Sequence, residues 1–275
     1  MVWALIASLS VIFGIGAPPL KIQFQANAIA GSQDAAYDAI AERQLLDLAN
    51  QARAKAGLEP LEPNESLTQS ARVHASLMAA KRQLSHQFAG EPSLSGRLAA
   101  DSRLHLDRAG ENVASASTVE EAHDSLMHSL PHRENLLNPD YNAAGFAVER
   151  SGDTLFITQD FARTLPLVSS DEAVLHVAEA VNRSRTDNGF PLLQQLQNSE
   201  DQQTACAMGR ANGIKASGPQ ARYVLRYTSM DPGSLPSGTE RAVRDGSLHA
   251  FSVGACYMRS NAYPNGAYWV IVRFF

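Results

Sequence analysis

Residues 110–161 read GENVASASTVEEAHDSLMHSLPHRENLLNPDYNAAGFAVERSGDTLFITQDF, and this stretch decides most of the fold. Gly110-Glu111-Asn112 reads as a tight turn, with the Asn112 side chain bonding to nearby backbone. A helix opens at Thr118, with Glu120 and Glu121 in its first turn, where carboxylates suit the helix dipole. Pro131 is expected to end it. Residues 143–149 and 154–161 alternate apolar and polar about a turn containing Gly152, the pattern of a hairpin with one buried face.

The same stretch carries three histidines, His123, His128 and His132. Positions five apart on a helix lie about 140° apart around its axis, so His123 and His128 cannot share a ligand. Pro131 interrupts the turn that would bring His128 beside His132. The residues that could converge are therefore His132, Glu111 and, upstream, His86 in Ser85-His86-Gln87-Phe88. Two imidazoles and a carboxylate could hold a divalent metal such as zinc, or move protons.

Outward from this stretch the pattern is helical. Residues 34–55 place Ile40, Leu45, Leu48, Ala49 and Ala52 on one face, with Gly57 as the C-cap and Pro60 and Pro63 beyond. A second helix is expected over 66–84, with Leu67, Ala71, His74, Leu77 and Met78 inward. His74 at such a position reads as a satisfied core histidine. A short helix is expected over 94–100.

Residues 2–20 are apolar and uncharged, and small residues follow at 26–30. This reads as a signal peptide over residues 1–30, cleaved after Ala28 or Ala30, which implies a secreted or periplasmic protein. The rival is an uncleaved anchor. Pro18-Pro19 shortens the apolar run to about sixteen residues, fewer than the roughly 20 a span needs. With the leader removed, no stable membrane span is expected. The net charge of −5 and the lack of a Lys/Arg cluster exclude a nucleic-acid surface. Cys206 and Cys256 read as one disulfide in an exported chain, or else as two buried thiols.

Several motifs together resemble the CAP superfamily, the cysteine-rich secretory, antigen 5 and pathogenesis-related 1 proteins with their SCP domain, and most closely its bacterial secreted branch. They are Asn50-Gln51-Ala52-Arg53, residues 71–78 (ARVHASLM), Ser85-His86, Gly110-Glu111-Asn112-Val113-Ala114, residues 129–137 (SLPHRENLL), and Gly145-Phe146-Ala147-Val148 before Asp160-Phe161-Ala162. The resemblance covers residues 36–163. It implies an α+β fold, a three-layer α-β-α sandwich with a cleft lined by two histidines and two acids. The histidines correspond to His86 and His132 and the first acid to Glu111. The second acidic position falls on Ser129, a departure from the family's tetrad.

Residues 171–275 echo the first copy. Asn182, Arg185 and Gly189 match Asn50, Arg53 and Gly57; residues 205–208 match 75–78; and 253–257 match 144–148. They read as a second, shortened CAP-like copy lacking the His86, Glu111 and His132 region, joined through a linker at 164–170. The alternative is an unrelated α+β domain. In the matched registers Cys206 falls on the second helix and Cys256 on the strand packed against it.

There is no G-x-S-x-G and no cysteine beside a histidine, so no catalytic nucleophile is assigned. The expectation is a non-enzymatic binding protein whose site, His86, Glu111, His132 and Ser129, holds a metal or a small apolar ligand such as a lipid. An extracellular protein partner is the other candidate. Two alternatives stay open: a metal-dependent hydrolase or peptidase using the same residues, with His86, His132 and Glu111 as metal ligands, and a buried polar network with no ligand.

Overall fold

The computed structural model describes residues 37–100, 104–214 and 220–275. The expected signal peptide lies outside the described residues. The chain divides into two compact units. One takes in the chain up to His86, Gly110–Pro139 and Ala144–Phe161; the other takes in Gln87–Ala109, Asp140–Ala143 and Ala162–Phe275.

In the first unit, helix α1 (Ala39–Lys55) starts at Asp38, whose carboxylate accepts from the Ala41 amide, and buries Ala41, Leu45 and Ala49. Helix α2 (Glu65–Lys81) is capped by Asn64 and stops at Arg82 in the left-handed conformation. His74 of α2 is fully buried, its Nε2 2.8 Å from the Ser85 carbonyl, which makes it the satisfied core histidine the spacing predicts. Helix α4 runs Val119–His128; the short α3, Leu94–Leu98, belongs to the other unit. Pro131 does not merely end α4. It sits in the first turn of a new helix α5 (Leu130–Leu136), where a missing N–H costs nothing, and so it places His132 at the start of a helix.

Four strands, β1 (Glu62–Pro63), β2 (Leu106–Ala116), β3 (Ala143–Ser151) and β4 (Thr154–Thr164), form a sheet in the order β1-β3-β4-β2. The β3-β4 hairpin turns at Gly152, with φ +65°, as the pattern predicts. The Gly110-Glu111-Asn112 segment differs from expectation: it lies inside β2, not in a turn. The glycine had suggested a turn, but the neighbouring run to Ala116 has the strand's buried positions.

Gly145 of β3 shows how closely α2 approaches the sheet. A Cβ there would lie 1.9 Å from the Thr68 amide nitrogen and 2.1 Å from the Leu67 carbonyl carbon. The contact continues through Ala147 against Ala71 and Ala75, all small and buried. Only a glycine lets backbone meet backbone at that distance.

The other unit contains a second copy of this arrangement, built on α6 (Ser170–Asp187), β5 (Gln194–Leu196), α7 (Ser199–Ala211), β6 (Tyr223–Ser229), the short α8 (Glu240–Val243), β7 (Ala250–Met258) and β8 (Ala267–Phe274). Its sheet runs β5-β7-β8-β6, the same order as the first when the strands are matched in sequence. A Cβ at Gly254 of β7 would lie 2.1 Å from the Asp201 carbonyl oxygen of α7. Gly254 therefore seats α7 as Gly145 seats α2.

The repeated Asn and Arg have matching jobs. Asn50 bonds both backbone groups of Leu61, and Asn182 both of Leu193, across the same eleven residues. Arg53 is buried and donates to the carbonyls of Glu59, Leu136 and Asn138. Arg185 is buried and donates to Pro191, Ala242, Val243 and Asp245. Each guanidinium ties a helix to the loop after it and to the short helix α5 or α8. In one detail the copies differ from the sequence match. From the glycine seats, Asp201 stands where Leu67 does, which sets Ala205 opposite Ala71, one turn before Ala75. In this register the two helices start at equivalent positions, and α7, with 13 residues against 17 in α2, lacks the last turn.

Cys206 of α7 and Cys256 of β7 form a disulfide, with Cα atoms 5.1 Å apart and 50 residues between them in sequence. In the chain-entropy model a bridge closing a loop of this length is worth about 4 kcal/mol. Reduction, or the Cys206→Ser, Cys256→Ser variant, is expected to lower unfolding stability by that order, measured by denaturant titration with and without reductant. Among the described residues, no helix is long and apolar enough to cross a membrane.

Candidate functional site

The site residues come from three places in the first unit. His86 follows the end of α2, Glu111 is on β2, and Ser129 and His132 flank the junction of α4 and α5. His86 Nδ1 lies 2.9 Å from Glu111 Oε1, with the imidazole 39% exposed and the carboxylate 5% exposed. A nearly buried carboxylate accepting from the ring fixes both the orientation and the tautomer of His86, leaving Nε2 as its acceptor nitrogen.

His132 is held in a parallel way by a different group. Its Nδ1 lies 2.8 Å from the Ser129 hydroxyl. Ser129 stands at the N-cap of α5 but makes no capping bond. Its hydroxyl goes to the histidine, three residues on. Ser129 thus occupies, with a neutral group, the position where the sequence resemblance places a second acid. The His132 pKa is depressed, first because burial disfavours the imidazolium and second because His86 opposes a further positive charge. In the Ser129→Glu variant a carboxylate at Nδ1 is expected to raise the His132 titration midpoint past the ordinary histidine value, followed by NMR of the ring protons.

A chain of amides holds the two halves in register. Asn112 is fully buried, and its Nδ2 donates to the His132 carbonyl at 3.0 Å and to Gln159 Oε1 at 3.1 Å. Asn135 Nδ2 donates to Asn112 Oδ1 and to the Glu111 carbonyl. The backbone of Glu111 on β2 is so tied to the backbone of His132 on α5. Asn135 supports the site through these two bonds. Gln159 was not foreseen; its only signal is an amide inside a run of buried strand residues.

The other histidines stay apart from this group. His123 is half-buried on α4, and burial lowers its pKa. His128 Nδ1 bonds the Asp124 carbonyl of its own helix.

The site thus presents two imidazoles, one from just after the end of α2 and one from the start of α5. Residues 46–161 match the family model described as the Cysteine-rich secretory protein family, CAP. That segment is similar to the CAP superfamily. Its relatives include the uncharacterized protein YkwD of Bacillus subtilis, 34% identical over 114 residues, which are 40% of this chain and 43% of that protein. The matched part spans less than half the length of the curated relatives. An extracellular protein containing a SCP domain from Bacillus anthracis is 29% identical, over 45% of this chain and 40% of that one, with a TM-score of 0.41. The solved structure of Na-ASP-1 is 11% identical, but it covers 90% of this chain and 91% of its own with a TM-score of 0.50, a likeness of fold across both units.

Proposed function

We propose that the protein is an exported binding protein, and that its first unit takes its ligand on the Nε2 atoms of His86 and His132. The observation that carries this reading is the pair of Nδ1 contacts, to Glu111 at 2.9 Å and to Ser129 at 2.8 Å. Metal-binding histidines are commonly held this way, the far nitrogen bonded to a carboxylate or another acceptor. The donor set fits a divalent cation such as zinc on two imidazoles. Glu111 and Ser129 act from behind the rings. Zinc bound there supplies a Lewis acid for an anionic or carbonyl group of the ligand. Small apolar ligands with such a head group, lipids among them, are the class to screen.

The hydrolase alternative is less favoured. A catalytic zinc takes three protein ligands, and among the described residues no three His, Cys, Asp or Glu side chains form a metal-holding group. Export is supported by the disulfide and by the extracellular relative from Bacillus anthracis.

Native mass spectrometry with added zinc tests the reading. One zinc per chain is expected, lost in the His86→Ala, His132→Ala variant, with a lipid panel run on both proteins. Zinc retained by the variant, or neither zinc nor lipid bound by the parent, removes the proposal.

A further inference from the structure

The second copy holds a cavity of about 590 Å³, within the range of about 300–1,000 Å³ common for small-molecule sites. Its walls come from the start of α6, from β5 and the residues after it, from the start of α7, and from Val253 of β7. All of these residues belong to the same unit.

The matched registers show what has changed at this place. Counting from Asn182 and Asn50, Val174 and Leu175 stand where Glu42 and Arg43 do, and Gln194 and Gln195 stand where Glu62 and Pro63 do. Counting from the glycine seats, Cys206 stands where Arg72 does. In the first copy Arg72 pairs with Glu42 at 2.6 Å. The leucine held by the locking asparagine and the next helix's N-cap are Leu61 and Asn64 in the first copy, but Leu193 and Asn198 in the second. The second copy has thus exchanged charged groups for amides and aliphatics, and its longer segment brings Gln195, Leu196 and Gln197 to the wall.

The wall has two kinds of amide. Asn198 accepts from the Glu200 amide and donates to Asp201, and Gln202 bonds both backbone groups of Ala255, so these two are fixed. Gln195 and Gln197 are exposed, and among the described residues their side-chain amides have no partner. Each offers a donor and an acceptor side by side. Among the described residues of the lining, Asp171 alone is ionisable, and it is exposed. An anionic ligand would meet no cation there, and a single exposed carboxylate holds a cation weakly. Leu175 and Leu196, both exposed, add an apolar surface.

We propose that this cavity is a saccharide site. It takes a neutral sugar whose neighbouring hydroxyls pair with the amides of Gln195 and Gln197 while its C–H face lies on Leu175 and Leu196. A hydroxyl both donates and accepts, so two adjacent hydroxyls answer the N–H and C=O of one amide, and Asp171 supplies a further acceptor. An extended peptide would instead need a strand edge longer than the three residues of β5. The site is separate from the His86 and His132 pair and does not rest on their binding a ligand.

Titration of the ¹⁵N-labelled protein with cellobiose, maltose and N,N′-diacetylchitobiose, followed by NMR, tests this. Cellobiouronic acid is the anionic counterpart and blocked trialanine the peptide probe. The expected result is saturable binding of at least one neutral disaccharide, with shifts at the side-chain amides of Gln195 and Gln197. The Gln195→Ala, Gln197→Ala variant is expected to bind at least about tenfold more weakly, the scale of two lost hydrogen bonds, with unchanged thermal unfolding. The His86→Ala, His132→Ala variant is expected to bind the sugar as the parent does. A parent that binds none of the neutral disaccharides overturns the proposal. So does sugar binding undiminished in the glutamine variant, or binding of the acid or the peptide as tight as that of the sugar.

Discussion

Gly254→Ala is expected to unfold the second copy, or to cost it more than about 3 kcal/mol, a cost at the upper end for overpacking. The added Cβ would sit 2.1 Å from the Asp201 carbonyl oxygen, 2.2 Å from its carbon and 2.7 Å from the Gln202 nitrogen. All three are backbone atoms of α7, so no side chain can swing aside. The helix itself would have to lift off β7, exposing Ala205, Met208 and Trp269. Gly238→Ala is the control, since nothing lies within 4 Å of its added Cβ. Thermal and denaturant unfolding of the two variants beside the parent reads the difference. Equal stability of Gly254→Ala and parent would mean that α7 does not rest on β7 at this distance.

Asp201→Ala is expected to destabilise the protein by about 3–5 kcal/mol, the usual cost of leaving one partner of a buried ion pair uncompensated. Asp201 Oδ1 accepts from Arg273 Nε at 2.6 Å, with side chains 0% and 1% exposed. Oδ2 accepts from the Ser252 hydroxyl at 2.5 Å and from Asn198 Nδ2 at 3.1 Å. The carboxylate therefore joins α7 to β7, β8 and its own N-cap. Its removal takes the carboxylate away from the buried Arg273 guanidinium. The double variant Asp201→Leu, Arg273→Met removes both charges and is expected to recover most of the loss, because a well-packed apolar pair of similar volume replaces buried ions at little cost. Denaturant midpoints of parent, single and double variants decide it, and a double variant as unstable as the single one would contradict the ion-pair account.

Asp201 also marks a limit of reading the sequence. In the first copy the equivalent position is Leu67, an ordinary core residue. Nothing local says that Asp201, near the start of a helix where acids are common, is buried against an arginine 72 positions on. That pairing is tertiary, and helix periodicity carries no information about it. The repeat itself was legible, because the Asn and Arg that lock each first helix to its following loop act over short spans of six and eleven residues.

The site shows the same division. His86, Glu111 and His132 could be picked out by residue type and by their place in the family's motifs, and Ser129 by its departure from them. Their local structure was harder. Glycine before Glu111 suggested a turn, but cross-strand pairing placed it in β2. Proline before His132 suggested a stop, but the same ring geometry starts a helix as readily as it ends one. Gln159 escaped notice because its role depends on Asn112, 47 positions away.

The central claim is that Glu111 and Ser129 hold the Nδ1 atoms of His86 and His132 so that the two Nε2 atoms take the ligand. Long-range proton–nitrogen NMR of the histidine rings, before and after one equivalent of zinc, tests it most directly. The account predicts that both rings keep a proton on Nδ1, with large shifts at Nε2 of His86 and His132 and none at His123 or His128. Zinc shifts at Nδ1 of either site histidine, or shifts confined to His123 and His128, would contradict it.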